Sequence, residues 1–444
     1  MPVDVGDLLK ITVSQAPENL FSTDTARHIQ RLSESFAGFQ TSEVIAETNL
    51  NDQAGRADIS FRVLAEEAPA MIQAFSSPAF DKMAEADSWQ RLISFCRGWP
   101  AEVAEVWIEM DQTAYEQPLP PPCFFYDGSG VHPRRGMHQP LLRPSLSMLL
   151  DNPAVGKMEN TLLHTLSSLP EEVTVFQMGT MLARHQDRLR LFTAEMSWEQ
   201  AMTWTEGLQW KGTPPDVASL NNLTKHHSDG RFILDVDVAE EGVHPKLGIN
   251  FGVTSPENLH AFLEELIKAG LCTQEKKEIL LSWKGTRGQF MGKEAGYCAL
   301  INRISHFKLT QQEGQPLTAK VYLQTLAVSI KKQLQKKRLA REAAERNQEM
   351  AKGTAAYRHW QRQTQENMKQ LMTKAMLDQD FRNRCLNEGE TVFSETFEGE
   401  VPTHWRPCFI ETDTVKTSET SQKPWEINLP PYLKKTWLNS NSQQ

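Results

Sequence analysis

INRISHFKLTQQEGQPLTAKVYLQT, residues 301–325, decides the fold. Two runs within it, 301–310 and 317–325, alternate polar and apolar side chains. His306 and Lys308 oppose Phe307 and Leu309; Lys320, Tyr322 and Gln324 oppose Val321 and Leu323. A period of two is the signature of β-strands. The polar loop QQEGQP between them is too short for a crossover, so the strands pair antiparallel. One face of the pair is apolar and asks for a cover. The other is crowded with groups able to carry charge.

Working outward, the pattern recurs. In 104–112, Trp107, Glu109 and Asp111 share one face and Ile108 and Met110 the other. In 188–195, Arg188 and Arg190 oppose Leu189 and Leu191; in 231–238, Asp235 and Asp237 oppose Leu234, Val236 and Val238. In 245–252, Lys246 and Asn250 oppose Leu247, Ile249 and Phe251. Further strands are expected at 57–63, in CFFYDG after the proline run 118–122, and at 172–183. Helices are expected at 26–37, 66–76, 86–97, 155–168, 215–226, 255–269 and 273–283. Another starts after Ser197, which forms a capping-box pattern with Gln200.

The order is therefore α-α-β-β, repeated three or four times after a less regular start, with no repeat in the sequence itself. This predicts an α+β domain: an antiparallel sheet with helices on its apolar face. Two architectures fit: an open sheet with a solvated polar face, or a closed barrel with helices outside and a polar lumen. Large sheets tend to curl or close.

The 444 residues carry 47 lysines and arginines against 56 aspartates and glutamates, a net charge of −9. That excludes a general nucleic-acid surface, which needs a basic excess. No stretch approaches the ~20 apolar residues of a membrane span, and the N-terminus does not read as a signal peptide. Six scattered cysteines without a CxxC fit a reduced, cytoplasmic protein. No P-loop, HExxH or GxSxG motif occurs. GSGVHPRRG at 128–136 reads as a surface loop.

Across residues 55–325, the α-α-β-β order, antiparallel pairing and polar strand faces resemble the aromatic prenyltransferases of the ABBA-barrel type. Lys320-x-Tyr322 is similar to that family's diphosphate-contacting pattern, and no aspartate-rich DDxxD motif is present. The resemblance implies an isoprenoid diphosphate held by Arg188, Arg190, Lys246, Lys308 and Lys320 with Tyr322. It implies Trp107 shielding an allyl cation and Glu109 taking the acceptor's proton. Asp235 and Asp237 either bind Mg²⁺ or balance the cations. A bland alternative is a wet ladder in which the same carboxylates and cations pair.

From 326 the texture changes. Residues 326–362 are dense in helix formers and charge, and read as a solvated helical linker. Residues 363–431 follow, then a tail, 432–444. The helix LMTKAMLDQDFRNRCLNEG with Ala375, Asp380, Phe381, Arg382 and Leu386, then VP and an extended segment ending in LPP, resembles part of the nitrile-hydratase α-subunit. It is similar also to the leader peptides of proteusin-type precursors. The metal claw of true nitrile hydratases needs clustered cysteines, and WEINLPPYLKKTW at 425–437 has none. What the resemblance implies is a protein of a ribosomal peptide natural-product pathway with a peptide partner. The alternative is a non-catalytic scaffold that holds a precursor peptide or a partner enzyme.

Overall fold

The computed structural model describes residues 2–17, 19–77, 80, 87–112, 121–139, 141–150, 152–184, 188–208, 210, 217–363, 365–397, 408–411 and 426–429. Contacts divide the chain into two compact units, Met1–Gln335 and Lys336–Gln444.

The first unit is a closed barrel. Among the described residues its strands are β1 Glu43–Asn49, β2 Asp58–Leu64, β3 Glu105–Met110, β4 Pro122–Asp127, β5 Val175–Thr180, β6 Leu189–Thr193, β7 Arg231–Ala239, β8 Gly242–Phe251, β9 Tyr297–Gln312 and β10 Thr318–Ser329. Each pairs antiparallel with its neighbours in the chain. The β10–β1 pairing, Lys320 opposite Asn49 through Leu326 opposite Glu43, closes the ring. Of the two expected architectures, the barrel is therefore the one formed.

Two helices precede each strand pair: α1 Val5–Gln15 and α2 Thr23–Ser35, α3 Ala68–Phe75 and α4 Asp87–Arg97, α5 Arg143–Leu149 and α6 Asn152–Ser167, α7 Trp198–Gly207 and α8 Val217–Thr224, α9 Pro256–Lys268 and α10 Gln274–Ser282. The α-α-β-β unit occurs five times, so the irregular start is itself a unit. Its strand β1, EVIAETN, escaped notice because Glu43 and Glu47 make it look like loop; both are buried on the lumen side. The capping box expected at Ser197 is present: its side chain accepts from Gln200 N, and Gln200 accepts from Ser197 N.

The apolar strand faces point outward and are sealed by the helices. Phe61, Ile108, Phe124, Leu191, Val236, Ile249, Leu309 and Val321 are each at most 1% exposed in one continuous core. Burial of that outward face leaves the polar face inward. Two glycines shape the lumen wall. A Cβ on Gly179 would meet the Phe125 ring at 2.3 Å, and one on Gly248 would meet the Asp235 carboxylate at 2.0 Å.

β10 runs on to Ser329, past the boundary expected at 325, because Leu326 and Val328 continue the strand alternation. A charged helix, Ile330–Gln363, follows. The second unit contains helices Gln365–Leu377, Gln379–Asn387 and Gly389–Thr396 and a parallel strand pair, Cys408–Glu411 with Glu426–Leu429. Ala375, Cys385, Val392, Phe393, Phe409 and Leu429 form its core, with Phe381 and Leu386 packed on it. Buried Arg382 donates to Ala375 O at 3.4 Å. The VP segment, the two prolines of LPP and the tail 432–444 lie outside the described residues. Among the described residues no helix is long and apolar enough to cross a membrane.

Candidate functional site

The barrel encloses a cavity of about 800 Å³. Trp107, Glu109, Arg190, Lys246, Lys308, Lys320 and Tyr322 all line it. Arg188 does not: it precedes β6 and lies 3.9 Å from Glu241 in the β7–β8 turn. Strand alternation placed it on the lumen face; its position at the strand's end takes it out of the cavity.

One wall is acidic. β1, β2 and β3 bring Glu47, Asp58, Glu109 and Asp111 together, with Glu47 opposite Asp58 and Glu109 opposite Ser60. Two cations answer these four carboxylates. Lys320 pairs with Glu47, and Arg184 grips Asp111 through Nε at 2.9 Å and Nη2 at 3.1 Å. Glu109 lies 3.9 Å from Arg184. Burial, opposed mainly by Lys320 and then Lys308, leaves the Glu47 carboxyl at about 2. Burial and the neighbouring carboxylates push Asp58 up to about 6 and Glu109 up to about 8. Glu109 is thus uncharged at neutral pH.

The opposite wall is basic. Arg190 donates to both oxygens of Asp237, at 2.7 and 3.0 Å, and lies 3.7 Å from Asp235. Lys308 pairs with Asp235 at 2.7 Å, and Asn250 donates to the same carboxylate at 2.8 Å. Burial alone would raise the Asp235 carboxyl; Lys308 and Arg190 hold it well below the usual range. Lys246 has no ion pair among the described residues. Burial and then the Arg190 charge lower its ammonium to about 8.

Between the walls lie aromatic surfaces. Phe125 and Phe192 meet edge to face at 5.7 Å, with Trp107 packed beside them. Lys308 sits 5.6 Å above the Phe192 ring. Tyr322 stands directly opposite Glu47 on one side and His306 on the other, and stacks on the imidazole at 4.0 Å. Burial, then Lys308, lowers the imidazole to about 4, so it is neutral. At one mouth Arg62 bridges Glu43 at 2.8 Å and Glu105 at 3.4 Å.

The donor set fits Mg²⁺ poorly. Asp235 and Asp237 balance cations, as one of the two sequence readings has it. The one close group of carboxylate and thiol ligands among the described residues, Glu109, Asp111 and Cys123 within 4.8 Å, contains a buried thiol and an aspartate already gripped by Arg184. Mg²⁺ prefers an all-oxygen octahedron.

Sequence reasoning missed Glu47, Asp58, Arg184, Phe125 and Phe192. Glu47 and Asp58 were legible once EVIAETN is read as a strand. Arg184 stands on a short 3-10 turn, Leu182–Arg184, where no period applies.

No protein-family model matches the chain, and no curated protein matches it. Among solved structures it is similar to the prenyltransferase PriB in its apo form, at 15% identity over 72% of this chain and 94% of that one, with a TM-score of 0.44. It is similar also to the binary complex of PriB with product diphosphate, at 15% identity over 72% and 95%, with a TM-score of 0.42.

Proposed function

We propose that the lumen is the active centre of an aromatic prenyltransferase of a peptide natural-product pathway, moving an allylic group from its diphosphate to an aromatic side chain of a peptide. The observation that carries this reading is the convergence of Arg190, Lys246, Lys308 and Lys320 on a closed, aromatic-lined cavity whose other wall presents Glu109. The allylic C–O bond breaks and its electron pair leaves with the diphosphate, onto cations fixed in advance. Lys246, without an ion pair among the described residues, is the first to meet that charge. Trp107, Phe125 and Phe192 exclude water from the allyl cation and present ring faces to it. A ring carbon of the acceptor forms the new C–C bond. Glu109, pushed up to about 8, first gives its own proton to solvent; the ring proton then passes to the carboxylate so formed, and aromaticity returns. The peptide acceptor is supported by the likeness of residues 363–431 to leader peptides.

The test is the intact mass of an aromatic peptide incubated with the protein and allylic diphosphates. An isoprenoid-sized gain is expected, slowed about 100-fold by Lys246→Ala. Turnover by Lys246→Ala at the wild-type rate would falsify the assignment.

One observation favours a non-catalytic scaffold: Arg190, Lys308 and Lys320 are already neutralised by carboxylates. Calorimetric titration with inorganic diphosphate separates the two readings. Binding that Lys246→Ala weakens supports the transferase; no heat with the folded protein favours the scaffold.

A further inference from the structure

β9 is longer than its barrel partners. Its first half, Tyr297–Asn302, leaves the ring and pairs with an additional strand, Gly285–Phe290, which ends the sheet. The far edge of Gly285–Phe290 has no strand partner among the described residues, so a row of main-chain donors and acceptors is open.

The pairing register shows where this extension leads. Glu43 lines the cavity. It stands opposite Leu326, Leu326 opposite Ile301, and Ile301 opposite Thr286. Residues directly opposite share a face, so the lumen wall continues without a break from the mouth to the open edge. The next row, Val328–Ala299–Gly288, is apolar, and the last, Tyr297–Phe290, is a pair of aromatic rings 5.4 Å apart. Phe290 is 52% and Tyr297 67% exposed. A Cβ on Gly285 or Gly288 would meet nothing within 4 Å, so the space over the strand is open. The reverse face of β9 is closed: Cys298, Leu300 and Asn302 are buried. Strand alternation puts Arg287 on the side away from Phe290, and exposed Lys284 and Lys293 flank the strand.

We propose that this extension is a docking platform for the peptide acceptor, which adds to Gly285–Phe290 as an extended strand. Its apolar or aromatic side chains lie on the Phe290–Tyr297 face and its acidic side chains meet Arg287. Three features select that occupant. The open edge asks for extended main chain; the apolar face on one side and the exposed Arg287 on the other, with Lys284 and Lys293 beyond the strand's ends, together ask for an alternating apolar–acidic sequence; and the face runs into the cavity mouth, so a side chain further along is delivered to the lumen. The proposal rests on the peptide-acceptor reading above and names the class of peptide.

The test is fluorescence anisotropy of the full chain with a labelled hexapeptide, Asp-Val-Asp-Tyr-Asp-Val, capped at both ends. Saturable binding is expected. Phe290→Ser with Tyr297→Ser weakens it about ten-fold, and Arg287→Glu weakens it several-fold and removes its salt dependence. The same peptide N-methylated at every amide does not bind. Equal binding of the methylated peptide, indifference to both sets of substitutions, or no binding of the parent peptide overturns the proposal. So does a dimer in sedimentation that Phe290→Ser dissolves, since the edge then belongs to a second copy. Both sets lie off the cavity and leave transfer to a free aromatic acceptor unchanged. Transfer to that acceptor without peptide binding sinks the platform alone; peptide binding without any transfer sinks the transferase alone.

Discussion

The two walls of the lumen are built from the same alternating strands but are unbalanced in opposite directions. On β1–β3, four carboxylates, Glu47, Asp58, Glu109 and Asp111, meet two cations, Lys320 and Arg184. On β6–β9, three cations, Arg190, Lys246 and Lys308, meet two carboxylates, Asp235 and Asp237. Where carboxylates are in excess, burial raises those left over, so Glu109 reaches about 8 and sheds its charge. Where cations are in excess, the carboxylates are held fully ionised and the spare amine, Lys246, falls to about 8. The comparison teaches that the groups left over after internal pairing are the ones whose charge burial shifts toward neutral. The paired ones hold the walls in place.

The largest effect comes from breaking the basic wall. Arg190→Met leaves Asp235 and Asp237 facing each other with only Lys308 and Lys246 nearby. Loss of one partner of a buried pair costs about 3–5 kcal/mol, read as a lower urea midpoint. A midpoint near wild type would mean that the two aspartates are solvated and the wall is not a buried network.

Next is the backbone space behind that wall. Gly248→Ala puts a Cβ on the Asp235 carboxylate, which cannot retreat without leaving Lys308 and Asn250. A loss of about 1–3 kcal/mol is expected. Gly207→Ala, on α7 with nothing within 4 Å of the added Cβ, is the control.

The acidic wall is probed by pH. The Glu109 carboxyl titrates near 8 in the folded chain and near 4.3 when unfolded. The folded state therefore holds its proton more tightly, and stability from this group falls as pH rises from about 4 to about 8. Glu109→Gln removes that fall. Its melting temperature relative to wild type should rise between pH 5 and pH 8 by about 2 °C or more. A difference that stays constant with pH would show that the carboxylate excess is compensated.

The smallest effect belongs to Arg188, which pairs loosely with exposed Glu241. Arg188→Ala should shift stability by less than about 0.5 kcal/mol and leave diphosphate binding unchanged. A large loss of binding would return Arg188 to the basic wall.

Much of the site was legible because period two is local. A strand assigns each side chain to a face without knowledge of its neighbours, and that rule brought Trp107, Glu109, Arg190, Lys246, Lys308, Lys320 and Tyr322 into one cavity. It failed at Arg188, where the strand ends, and could not reach Arg184, which is not on a strand. It also missed Glu43 and Glu47, because acidic residues in an expected strand look like loop until a lumen is there to receive them.

The sequence by itself determined the α-α-β-β order, the antiparallel hairpins and the polar face, since these follow from local periodicity and turn length. The tertiary structure decided closure, through the pairing of β10 with β1, and with it which charges meet. Lys320 belongs to Glu47 and Lys308 to Asp235 because of register between strands far apart in the chain. Whether a cation is spent on a neighbour or left facing the cavity depends on that register and on burial, which strengthens every pairing and penalises every charge left alone. No local pattern carries that information.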